Sequence, residues 1–131
     1  MNISRRQSLL ALAALAAVPA FAADTLPGNS IYKLNAALTD QDGRAFEMSS
    51  LRGKPVLVAM FYTSCQMVCP MIFETVHATL KALPEADRKD VRVLMVSFDP
   101  ARDTVAVLKD TAAKRNADTQ WTLARTPDDT T

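Results

Sequence analysis

The sequence predicts an α/β domain, a central β-sheet flanked by helices. Two apolar runs without alternation, Pro55 to Tyr62 and Val91 to Phe98, have the pattern of strands buried on both faces. Between them Ile72, Phe73, Val76, Leu80 and Leu83 recur at helical spacing, and a second helical stretch runs from Thr104 to about Asn116. Strands alternating with helices form crossover units, which favour a sheet covered by helices.

In chain order, residues 1–22 read as an export leader and residues 23–131 as the domain. Arg5 and Arg6 form a positive start, Leu9 to Val18 is a short apolar run, and Ala20-Phe21-Ala22 is a small-x-small cleavage pattern, with the cut expected after Ala22. The apolar run is about half the ~20 residues a membrane span needs and Pro19 closes it, so no permanent membrane anchor is expected. Ser4 to Leu10 also resembles a twin-arginine signal. Either export route leads out of the cytoplasm into an oxidising compartment, here expected to be the periplasm.

Past the leader, Ile31 to Leu38 alternates as a strand. Asp40-Gln41-Asp42-Gly43 has turn chemistry and Arg44 to Met48 alternates again, so the three segments predict a β-hairpin. Ser49 to Lys54 is a connecting turn. The Pro55 run that follows is expected to be the central strand. Pro70 fits the first turn of a helix, which tolerates its missing N–H, and Pro84 stops that helix. After the Val91 run, Asp103 is expected to cap the second helix, and Gln120 to Ala124 starts a further strand. With two helices and no closing hairpin, one sheet face and one edge are expected to stay open, leaving the domain marginally stable.

The formal charge of +1 over 131 residues includes Arg5 and Arg6, so the domain without its leader carries −1. That balance offers no basic footprint for nucleic acid. The length left for the domain allows one small core.

The only two cysteines fall in Cys65-Gln66-Met67-Val68-Cys69-Pro70, between a buried strand and the helix after it. Unpaired N–H groups and the positive end of a helix dipole favour thiolate there, the form that both metals and disulfide exchange require. A bridge between Cys65 and Cys69 closes so short a loop that it removes little chain entropy, which argues for reactivity over a structural disulfide. Soft sulfur donors favour Cu(I), with Met67 and Met71 nearby as auxiliary thioethers, although core filling is the ordinary job of a methionine such as Met71. His77, the only histidine, lies about 12 Å beyond Cys69 along the helix axis and is expected to be a surface residue, not a ligand. Ser97 to Thr104 follows the second buried strand and projects from the cysteine end of a parallel sheet, where a turn held by the Asp103 cap and an Arg102 ion pair would border the site.

Phe61-Tyr62-Thr63-Ser64-Cys65-Gln66-Met67-Val68-Cys69-Pro70 is similar to the aromatic-rich CxxxCP signature of the SCO/SenC family, the copper-chaperone branch of the thioredoxin superfamily. Val96 to Thr104 resembles that family's second signature around Asp-Pro-x-Arg-Asp. The resemblance spans roughly Leu34 to Trp121. It implies a thioredoxin-like fold, here lacking the usual C-terminal hairpin and helix, and copper held by two cysteines, which map onto Cys65 and Cys69. It also implies a histidine well downstream of the second signature, a position this sequence does not contain. The implied activity is delivery of copper to the binuclear copper site of cytochrome c oxidase, or reduction of that site's cysteines. The implied partner is the copper-bearing oxidase subunit or another periplasmic copper or thiol protein.

A rival reading from another class is a thiol–disulfide oxidoreductase, in which one of Cys65 and Cys69 attacks and the other resolves. The three-residue gap differs from the two-residue gap of ordinary thioredoxin motifs and favours metal. A peroxidase, with Thr63 close before Cys65, is a third option.

Overall fold

A computed structural model describes residues 26–127. The leader at residues 1–22 lies outside them. Among the described residues no helix is long and apolar enough to cross a membrane. The strands are β1 (Ala37–Asp40), β2 (Ala45–Glu47), β3 (Val56–Phe61), β4 (Arg92–Ser97) and β5 (Trp121–Arg125). The helices are α1 (Val68–Ala82), α2 (Glu85–Arg88) and α3 (Val105–Lys114), and short 3-10 turns occupy Ile31–Lys33 and Met48–Leu51.

The strands form one mixed sheet in the order β2-β1-β5-β4-β3. β3, β4 and β5 run parallel, as the crossovers require, while β1 is antiparallel to both β2 and β5. The hairpin is present, but its first strand starts later than the alternation indicated, because Ile31–Lys33 coils into a 3-10 turn. Its turn is built by Asp40, whose Oδ1 accepts from the N–H groups of Asp42 and Arg44 at 2.9 and 2.8 Å. Gly43 there takes a φ of +80°, a conformation that favours glycine. Where β1 leaves β5, Gln41 replaces the missing backbone partner: its Oε1 accepts from the N–H of Leu123 at 2.9 Å.

The expectation that β3 is central is corrected. β3 lies at the end of the sheet, and its burial alternates, with Val58 and Met60 43% and 56% exposed. The strand buried on both faces is β4, flanked by β3 and β5. An unbroken apolar run reports that both faces dislike water; it does not report whether a neighbour sits on each side.

α1 and α3 pack on one face of the sheet. Phe73 and Leu80 of α1 and Leu108 and Ala112 of α3 meet Phe61, Val93, Met95, Trp121 and Leu123. Phe73 anchors this layer, edge-on to Phe61 at 5.4 Å and stacked on Trp121 at 5.9 Å. The opposite face holds a smaller cluster of Leu38, Met48, Leu94, Val96 and Ala124, covered by the two 3-10 segments. That cover leaves an apolar hollow of about 440 Å³ bordered by Ile31, Leu34, Val58 and Met60.

Two methionines of neighbouring strands therefore have opposite weight. Met95 is 0% exposed, so Met95→Ala is expected to lower unfolding free energy by about 2–5 kcal/mol. Met60→Ala is expected to stay within about 0.5 kcal/mol. Urea titration of both variants checks the contrast, and equal losses would contradict the assignment of faces.

Candidate metal and thiol site

The parallel register of β3 and β4 brings both sequence motifs to one end of the sheet. The ladder continues past the strands, with the N–H of Phe98 donating to the carbonyl of Phe61 at 3.1 Å. The loop after β3 carries Cys65, and the first turn of α1 carries Cys69.

Both cysteines are free thiols. Cys65 is half-exposed and Cys69 is buried against the core of α1. The residue before α1, Met67, offers no side-chain cap, so first-turn N–H groups are free to meet a loop sulfur. The N–H of Cys69 donates to the Sγ of Cys65 at 3.3 Å. This bond, followed by the thiol of Cys69 and the N–H groups of Met67 and Val68, lowers the Cys65 pKa to about 6 against the opposing effect of desolvation. Cys69 moves the other way: burial raises its pKa, with the charges of Cys65 and Asp103 adding to the effect. The site is thus asymmetric, one accessible thiolate beside one buried thiol. The Tyr62 hydroxyl interacts with Cys65, which raises the tyrosine pKa, and its ring meets Phe98 edge-on at 4.9 Å.

Two soft sulfurs on one helix start, one of them already ionised near neutral pH, fit a thiophilic ion such as Cu(I). Among the described residues no group of three His, Cys, Asp or Glu side chains is arranged to hold a metal. Met67 and Met71 are 79% and 67% exposed, so the core-filling role expected of Met71 is corrected: both side chains sit at the surface.

His77 is not the free surface group that its place on the helix indicated. Its Nε2 bonds the carbonyl of Arg115 at 2.8 Å, and its ring lies 4.4 Å from Trp121, stitching α1 to the end of α3. Asp103 does not cap α3. Thr104 does, its Oγ1 accepting from the N–H of Val107 at 3.4 Å, while Asp103 turns inward and is fully buried. The expected Arg102 ion pair forms with Asp99 at 2.8 Å. What sequence reasoning missed is the partnership of Ser97 and Thr63 with Asp103: both hydroxyls donate to its carboxylate, with nothing in the local sequence to signal it.

A family model described as SCO1/SenC matches residues 28–123. A putative copper-binding protein of Stutzerimonas stutzeri is 29% identical over 116 residues, which cover 79% of this chain and 56% of that protein. The structure of Bradyrhizobium japonicum ScoI with copper bound is 34% identical with a TM-score of 0.62, over 72% of this chain and 57% of that one. The structure of BsSco, described through a disulfide switch and as a member of the Sco family of cytochrome c oxidase assembly proteins, is 26% identical with a TM-score of 0.58, over 73% and 59% of the two chains. The chain therefore spans less than two thirds of the length of each of these three.

Proposed function

The chain belongs to the SCO1/SenC family, and from that premise we propose that it is a periplasmic copper-binding metallochaperone whose cargo, Cu(I), is held by Cys65 and Cys69. The observation that carries this reading is the hydrogen bond from the Cys69 N–H to the Cys65 sulfur, which readies one thiolate before any metal arrives. Soft thiolates hold Cu(I) against harder ions, and the half-exposed Cys65 gives the ion a way in and out. The relatives described by copper binding support the choice of ion. The description of BsSco supports a role in cytochrome c oxidase assembly, with the copper-bearing subunit as recipient. The leader pattern at residues 1–22 supports export. Titration of the reduced chain with Cu(I) against a chromophoric competitor is expected to give one tightly held ion per chain. Failure to withdraw copper from the competitor would overturn the assignment.

One observation favours a second reading, thiol–disulfide exchange. An exposed thiolate at Cys65 beside a buried, protonated Cys69 is the arrangement of an attacking and a resolving thiol. A thioredoxin-like rate of peptide disulfide reduction, combined with weak copper binding, would place this reading first.

A further inference from the structure

We propose that Asp103 is the positioning residue of the thiol pair, its buried carboxylate latching the Cys65 loop onto the end of β4. The inference rests on Cys65 and Cys69 being the working groups. The carboxylate is 0% exposed, and among the described residues its side-chain hydrogen bonds come from two separate places. The N–H of Thr63 donates to Oδ2 at 3.1 Å and the Thr63 hydroxyl donates to Oδ1. From β4, the Ser97 hydroxyl donates to Oδ2 at 2.5 Å and itself accepts from the N–H of Asp99 at 3.1 Å.

A carboxylate withdrawn from water is costly unless hydrogen bonds replace its solvation. Here it does not cap α3, a task Thr104 performs, and it makes no ion pair with Arg102, which binds Asp99. What its bonds do is fix Thr63, two residues before Cys65, to the end of β4, a strand paired on both sides. The Cys65 sulfur reaches the N–H of Cys69 only if the loop leaves β3 in the right direction, and Thr63 sets that direction. The latch thus acts on the sulfur through the backbone of residues 63–65.

The test uses Asp103→Ala, Asp103→Asn and Thr63→Val in the full chain, with His77→Ala as a control that disturbs packing away from the thiols. Asparagine preserves the latch: its oxygen accepts from the Thr63 N–H and Ser97, and its amide donates to the Thr63 hydroxyl once that hydroxyl turns. The first readout is the equilibrium with glutathione, in which the dithiol gives two electrons and two protons to glutathione disulfide, forming the Cys65–Cys69 bond and two glutathione thiols. Losing the latch removes stabilisation of the reduced form and is expected to shift this equilibrium about tenfold towards the disulfide in Asp103→Ala. Cu(I) affinity is expected to fall about tenfold in the same variant. Thr63→Val should shift both partway, Asp103→Asn should not fall with it, because it keeps the latch and removes only the charge that raises Cys69, and His77→Ala should move neither.

A folded Asp103→Ala chain with the parent's equilibrium and affinity would overturn the inference. So would an equal shift in His77→Ala, which would mean general loosening. If Asp103→Ala fails to fold, Thr63→Val and Asp103→Asn decide: a parent-like Thr63→Val, or an Asp103→Asn as altered as Thr63→Val, would overturn it. The glutathione equilibrium reads the latch without copper, so failure of the parent chain to bind Cu(I) sinks the copper reading and leaves this one testable.

Discussion

Cys65→Ser and Cys69→Ser are each expected to lower Cu(I) affinity on the order of a thousandfold, while His77→Ala leaves it unchanged. A serine hydroxyl is a hard donor that stays protonated, so either substitution leaves a single soft anchor. The loss should not come from unfolding. At position 65 a hydroxyl oxygen still accepts the N–H of Cys69, the bond that closes the start of α1. At position 69 the buried serine loses apolar contact with the α1 layer but leaves the backbone bond intact. His77→Ala is the reverse case: it removes the bond to the Arg115 carbonyl and the contact with Trp121, and so costs stability, about 1 kcal/mol, without touching the thiols. Competitor titration beside thermal unfolding separates the two effects. Undiminished affinity in either cysteine variant, or a loss in His77→Ala, would contradict the placement of the site.

The parts of this fold that the sequence made legible are those decided locally. The position of Cys65 and Cys69 between a strand and a helix is legible because a strand, Pro70 and a helical repeat stand within a few residues of them. The two motifs came to one end of the sheet because parallel crossovers leave no other choice. What was not legible depended on partners far along the chain. Nothing in Val56 to Phe61 tells that its outer side meets no strand among the described residues. Asp103 and Thr104 are both good cap residues, and their order of use was settled by Thr63, forty residues earlier, which draws the aspartate inward. His77 reads in the sequence as a surface residue because its partners, Arg115 and Trp121, belong to elements that its own helix cannot announce.

Alkylation of the reduced chain is expected to distinguish the two cysteines by about a hundredfold at pH 7, with Cys65 reacting first and its rate titrating with a midpoint near pH 6. The sign follows from the thiolate being the nucleophile. Cys65, with its pKa lowered to about 6, is mostly ionised at pH 7, and its rate falls about tenfold per unit once pH drops below that midpoint. Cys69, raised above the ordinary thiol range by burial, stays protonated at pH 7 and is shielded besides. The same ordering fixes the proton count of metal binding, because ligands must be deprotonated. Between about pH 6 and 8, Cu(I) has one proton to displace, that of Cys69. Below pH 6 it displaces a second from Cys65, so log apparent affinity should steepen from one to two per pH unit. In Cys69→Ser the alkylation midpoint should stay well below an ordinary thiol, because the largest cause of the lowered pKa is the backbone N–H of residue 69, which serine keeps. Mass-spectrometric counting of labelled residues across pH 5 to 9 makes the measurement. Two cysteines titrating together near pH 8.5, or Cys69 labelling first, would show that the N-terminus of α1 does not hold the Cys65 thiolate.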